Sequence, residues 1–392
     1  MTARINGTEF TRRYISENLL QEHKRVKVVV VDLDINPNHP AIQGRFDFLD
    51  PDHEARIRSR KNDDSRFIEA LHGASCMAIL KRNGQLSQHE QLYWDLAPFA
   101  DIYFFPLLDP AEFPEALLAG YSDDVVAAFL DARRLTDTLD AIINDDSDRR
   151  LSQGDIVAIT IGLDDGISLT SNSGWGTFPV YHLPSVEERI REITCEMGVS
   201  VIVSAGNRGI NLDDAHAMSF NTLETPHRRK YSNSGSECGA ILVGAKDGNR
   251  SWARSNSGNA IDAYGPGSIQ SSDGTSRQES NIRSLDGQIF AFSLSVAWGD
   301  TSSSAVYVAA ILANVQQVRI IEGFDPLPPF GARAHLRQWR AKEFGHMYRD
   351  LPTPDALAWL VGTGVLQITD DEYDEFFGSE IFIETEKDAK TA

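Results

Sequence analysis

Apolar residues along this chain come in blocks of two kinds. The first is a short β-branched run bounded by polar residues: Val26-Lys-Val-Val-Val-Val31, Asp155-Ile-Val-Ala-Ile-Thr-Ile-Gly162, Val199-Ser-Val-Ile-Val-Ser-Ala205 and Ala240-Ile-Leu-Val-Gly-Ala245. Runs of this kind predict strands buried on both faces of a parallel sheet. Asp101-Ile-Tyr-Phe-Phe-Pro-Leu-Leu108 is an aromatic variant, with Pro106 placing it near an edge or marking its end. The second kind is the stretch from Ala305 to Ala313, which is apolar or aromatic at every position. It predicts a helix that is hydrophobic all round and lies inside the protein, and the stretch is far too short to span a membrane.

The intervening segments read as helices and loops. His72-Gly-Ala-Ser-Cys-Met-Ala-Ile-Leu80 predicts a second buried helix that opens on the histidine. Ser185-Val-Glu-Glu188 fits a capping box for a helix running to Met197, with Gly198 as its stop. Residues 111–150 carry a long amphipathic pattern that includes Leu135, Leu139 and Ile142, and residues 47–69 are dense in charge; both read as insertions. Two more helical patterns, 334–343 and 355–366, follow the break at Asp325-Pro-Leu-Pro-Pro329. Residues 1–25 are polar, with Phe10, Tyr14, Ile15, Leu19 and Leu20 as docking points for a short helix, and residues 369–392 form an acidic tail. Strand, helix and strand in alternation make right-handed βαβ units the default. The expected fold is therefore α/β: a three-layer, doubly wound, mostly parallel sheet over residues 26–368, with helical insertions.

Composition narrows the function. The 392 residues are 41% hydrophobic, enough for a substantial core, and the formal charge is −20. That charge argues against a nucleic-acid partner, since phosphate binding needs a basic face. No apolar segment marks the amino terminus as a secretion signal and no run reaches membrane-span length, so the expectation is a cytoplasmic protein without a membrane partner. Cys76, Cys195 and Cys238 are odd in number and lack metal-ligand spacing, which supports neither a disulfide framework nor a zinc site.

Three positions carry candidate chemistry. Asp32 ends the first predicted strand, and in open α/β sheets that end faces the ligand crevice. Ser302 stands at the first turn of the buried helix, where free N–H groups and the helix dipole favour developing negative charge. Taken alone, Thr301 or Ser302 reads equally well as an ordinary N-cap, and His72 as a structural histidine. Together they occur in the order Asp, His, Ser, which is the order in subtilisin.

The local sequences resemble the subtilase family. Val29-Val-Val-Asp32 followed by His39-Pro40 is similar to its aspartate motif, and His72-Gly-Ala-Ser-Cys-Met-Ala78 to its histidine motif. Leu96-Ala-Pro-Phe-Ala-Asp-Ile-Tyr103, Ser204-Ala-Gly-Asn-Arg-Gly209, and Ser255-Asn-Ser-Gly258 with Asp262-Ala-Tyr-Gly-Pro-Gly267 match three more. Asp300-Thr-Ser-Ser-Ser-Ala-Val-Tyr-Val-Ala-Ala310 resembles the serine motif. The resemblance implies a serine endopeptidase with Ser302 as nucleophile, His72 as general base, Asp32 orienting the imidazole, and Asn207 donating to the oxyanion. It further implies a peptide substrate added as a strand along Thr160-Ile-Gly-Leu163, with Gly162, Leu163, Ala205 and Gly206 as substrate-binding residues.

The chain departs from the family pattern at several points. Asp34 replaces a glycine two residues after Asp32; Asp300 replaces the glycine before Thr-Ser and sets a carboxylate beside the nucleophile; Ser304 and Val306 replace alanine and proline. Cys76 matches a thiol that some subtilases carry beneath the histidine, and reads otherwise as a small buried apolar residue. Asp164, Asp165, Asp213 and Asp214 read either as solvated surface or as groups that favour basic substrates. Since Asp32 comes early, the chain resembles the intracellular branch, with restraint expected from residues 1–25, an insertion or a regulatory protein partner. No cofactor is needed for the chemistry; many relatives carry stabilising calcium sites, and structural calcium stays open here but unsupported, because the acidic loops show no ordered ligand spacing. The alternative from a different class is a catalytically silent subtilase-fold binding or scaffold subunit, motivated by Asp300 and by the acidic insertions.

Overall fold

The central strand β1 (Lys27–Asp32) is buried along almost its whole length, and its alternating side chains divide the core in two. Val28 and Val30 belong to one hydrophobic cluster, Val29 and Val31 to the other, as the two-residue period of a strand requires. The computed structural model describes residues 3–33, 35, 37, 42–52, 55, 68–81, 95–107, 132–162, 178–213, 238–247, 250–269, 279–283, 289–293, 298–344, 360 and 364–365. Asp34, His39, Pro40, the helical pattern 355–366 and the acidic tail 369–392 lie outside the described residues, apart from Leu360, Gly364 and Val365.

The strands β2 (Asp47–Phe48), β3 (Asp101–Pro106), β4 (Ile156–Ile159), β5 (Ser200–Ser204), β6 (Ile241–Asp247), β7 (Arg250–Ser251) and β8 (Ala263–Pro266) complete an eight-stranded sheet. Its order is β2-β3-β1-β4-β5-β6-β7, with β8 beside β6; every pairing is parallel except β6 with β7. The chain leaves β1 for one side of the sheet and leaves β4 for the other. These adjacent strands therefore bound a topological switch point, where a crevice opens at their carboxyl ends. Asp32 closes β1 there, and Thr160 follows β4.

Helices cover both faces. On the Val28 and Val30 face lie α1 (Ala3–Asn18), α2 (Ile68–Leu80), α5 (Asp300–Ile321) and α6 (Pro329–Phe344); on the other lie α3 (Ala132–Asn144) and α4 (Pro184–Cys195). Short pairs β10 (Glu279–Arg283) with β11 (Ile289–Ser293), and β12 (Trp298–Gly299) with β9 (Ser268–Ile269), stand apart from the main sheet.

α5 is the hub. It extends well past the apolar block, is buried from Thr301 to Val318, and is long and apolar enough to cross a membrane by length and composition alone. In the protein 83% of that stretch is buried, so the core occupies its apolar surface. The polar residues inside it satisfy backbone groups of other segments. Gln317 accepts from Val26 N–H at 3.0 Å and donates to Lys24 C=O at 3.1 Å, Asn314 donates to Leu96 C=O at 2.8 Å, and Gln316 makes both bonds to Leu327. Buried amides paired in this way act as registry pins between α5 and the segments that precede β1, β3 and α6.

Several expectations change. α2 begins at Ile68, so His72 lies in its second turn rather than at its start. α4 has no capping box: Pro184 supplies the first helical residue, Leu183 is the cap, and the Ser185 hydroxyl accepts instead from Thr136. Phe48 is a fully buried strand residue packed edge-on to Phe104, and α3 belongs to the core; of the two expected insertions, residues 53–54, 56–67 and 111–131 lie outside the described residues. Of the docking points in residues 1–25, Ile15 is buried but Leu20 is 53% exposed.

Close approach of α5 to the sheet depends on Gly265. A Cβ there would stand 2.7 Å from the Ser304 backbone. The variant Gly265→Ala should therefore lose about 1–3 kcal/mol of unfolding free energy, read from the urea midpoint at unchanged slope.

Candidate active site

Asp32 is fully buried, and a carboxylate in that position must be paired. Its Oδ1 accepts from Leu33 N–H at 2.7 Å, while Oδ2 faces His72 Nδ1 at 2.7 Å and the Cys76 thiol at 3.3 Å. Strand alternation explains the direction: position 32 shares a face with Val28 and Val30, the face that α2 covers. Positions 72 and 76 are one helical turn apart, so both point at the same carboxylate.

That contact sets the chemistry of the imidazole. An ionised carboxylate only accepts, so Nδ1 carries a proton, and in the neutral imidazole the lone pair is then on Nε2. The His72 side chain is 30% exposed, which keeps this base accessible. Burial, and then the Asp32 charge, push the Cys76 thiol well above its ordinary range, so it stays protonated and donates to Asp32. Asp32, His72 and Cys76 form a group with metal-ligand spacing, within 4.8 Å of one another, but each already serves the others in hydrogen bonds.

Ser302 sits in the first turn of α5. Its hydroxyl donates to Thr160 C=O at 2.7 Å, across the switch point, so its single proton points at that carbonyl and not at the imidazole. The turn before it is unusual. Asp300 has φ of 66°, the left-handed region in which glycine is at ease and Asp is among the few tolerated alternatives. The Asp300 carbonyl accepts from the Ser303 and Ser304 hydroxyls, which also bond Pro266 C=O and so tie the helix start to β8.

Asn207 is held in a defined orientation. Its Oδ1 accepts from Thr301 N–H at 3.0 Å and from the Thr301 hydroxyl at 2.7 Å. A backbone N–H can only donate, so the oxygen must face α5 and the Nδ2 amide is the side left to serve as donor. The supporting loop is organised by Asn256, which accepts from Arg208 and Ile210 N–H and donates to Ala205 C=O.

Sequence reasoning placed these four side chains but missed their supports. Thr160 as the Ser302 acceptor, Thr301 as the Asn207 anchor and Asn256 as the loop organiser are visible only in three dimensions; the four-residue spacing of His72 and Cys76 was a usable signal. The Asp300 carboxylate does not turn inward: Trp252 Nε1 donates to it at 2.6 Å and Arg254 at 2.8 Å. The N–H groups of Ala205 and Gly206 are engaged by Val243 C=O and the Thr301 hydroxyl, and their carbonyls by Asn256, which leaves no N–H there for a peptide strand. Asp213 accepts from Asn259 N–H at 2.7 Å through one oxygen and 2.8 Å through the other, so it holds its own loop. Leu163, Asp164, Asp165 and Asp214 lie outside the described residues.

The profile of the subtilase family matches residues 23–326. The chain belongs to the subtilase family of serine peptidases. No curated protein matches its sequence. Among solved structures it is similar to a lanthipeptide protease, at 17% identity and TM-score 0.51 over 92% of this chain and 94% of that one. A prenylagaramide maturation protease is similar at 16% identity and TM-score 0.48, over 90% and 98%. At such identities the likeness concerns the fold.

Two outcomes follow from this geometry. Thr301→Val leaves the buried Gly206 N–H without its acceptor and should lower unfolding stability by about 1–3 kcal/mol in chemical denaturation. A disulfide-exchange reagent at about pH 8 should titrate Cys195 alone in the native protein, because Cys76 and Cys238 are buried, and all three thiols in denaturant.

Proposed function

We propose that this subtilase is an endopeptidase that cleaves peptide bonds through an acyl-enzyme on Ser302. The observation that carries the reading is the buried Asp32–His72 pair at the switch point, one strand away from the carbonyl that holds the Ser302 hydroxyl. Reaction begins as the hydroxyl leaves Thr160 C=O by rotation about χ1 and turns to His72. Its oxygen attacks the scissile carbonyl carbon while Nε2 takes the proton; Asp32 stabilises the resulting imidazolium. The tetrahedral oxyanion receives Asn207 Nδ2 and Ser302 N–H. Collapse breaks the C–N bond, the amine leaves with the proton from His72, and water repeats the sequence to release the acid. No cofactor takes part.

The substrate is a protein or peptide lying along the Thr160–Gly162 segment. We place the enzyme in the cytoplasm, under the control of a protein partner or of its own extensions; three cysteines that form no disulfide with one another support that compartment. Residues 1–25 would act at a distance, because Tyr14 bonds Glu322, about 30 Å along α5 from Ser302. The silent-scaffold alternative loses one of its motives where the Asp300 carboxylate is bound by Trp252 and Arg254.

A fluorophosphonate probe tests the reading. Labelling should be abolished in Ser302→Ala and slowed about 10²–10³-fold in Asn207→Ala. Absence of labelling in the wild-type protein, with or without lysate of the source cell, would establish the scaffold instead.

A further inference from the structure

The Asp300 carboxylate is the anomaly of the site, and its partners give it a role. Chain geometry keeps the Cα atoms of Asp300 and Ser302 within about 7.6 Å, so the charge sits close to where the oxyanion forms. An uncompensated negative charge at that range opposes the reaction by roughly tenfold at a permittivity between that of water and that of the interior. Here it is compensated. Arg254 approaches both carboxylate oxygens, at 2.9 and 2.8 Å, and the Trp252 indole donates at 2.6 Å. Asp300 N–H is itself bound to Gly267 C=O at 2.6 Å, so the left-handed turn is held from its backbone and from its side chain.

We propose that Arg254, with Trp252, is a positioning and charge-compensating clamp on Asp300 that keeps the oxyanion site of Ser302 electrostatically open; this rests on the peptidase reading. Arg254 touches no reacting atom. It neutralises the carboxylate that this chain carries in place of the family's glycine, and it draws that carboxylate out of the cleft. The Arg254 side chain is 64% exposed and Asp300 only 20%, so the arginine is the member a ligand or a salt can reach.

A charge cycle on the full chain tests the clamp, with the fluorophosphonate rate constant as readout and loss of labelling in Ser302→Ala as control. Arg254→Met should slow labelling about tenfold in the wild-type background and less than about twofold in an Asp300→Asn background, where the side chain keeps its shape and its tolerance of positive φ but loses its charge. Arg254→Lys should recover most of the loss. Recovery in the double variant also excludes misfolding as the cause, since it lacks the same arginine. Equal slowing of Arg254→Met in both backgrounds, or none in either, would overturn the clamp while leaving the peptidase reading intact. A wild-type chain that does not label at all would overturn both.

Discussion

Everything at this site depends on burying one carboxylate. Asp32 can be sequestered at the end of β1 only because a backbone N–H, an imidazole and a thiol converge on it. That requirement fixes where α2 must pack, which nitrogen of His72 holds the proton, and why Cys76 remains a neutral thiol. The sheet supplies the location, since the switch between β1 and β4 is where the crevice opens.

The second constraint is the length of α5. One helix carries Ser302 at its start and, through Asn314, Gln316 and Gln317, reads the position of three other segments along its body. A buried helix with no polar groups could slide; buried amides that must find specific backbone partners prevent this. Registry between Asp32 and Ser302 is thus set in part by Gln317 and Val26, far from the chemistry. Gly265 permits the close contact with the sheet.

The β-branched runs made the sheet legible, because strands buried on both faces must be apolar at every position. Each run returned a strand, with its ends displaced by one to three residues from those of the run. The positions of Asp32 and Ser302 were legible from a strand end and a helix start, and those of His72 and Asn207 from the motif resemblance. What the sequence hid was non-local. The Ser185 cap lost to Pro184, which is preorganised for a first helical turn. Ala205 and Gly206 looked available for substrate, yet their amides are consumed by Val243 and Thr301, which are distant in sequence. Asp300 read as a carboxylate beside the nucleophile because nothing in the sequence showed Arg254 and Trp252 bound to it.

The most direct test is the protonation state of His72 itself. Nitrogen-edited NMR of the imidazole at neutral pH should find the proton on Nδ1 in a strong hydrogen bond and a bare Nε2, with the bond lost in Asp32→Ala. A proton on Nε2 with Nδ1 bare would contradict the account, because that tautomer can neither serve Asp32 nor accept from Ser302.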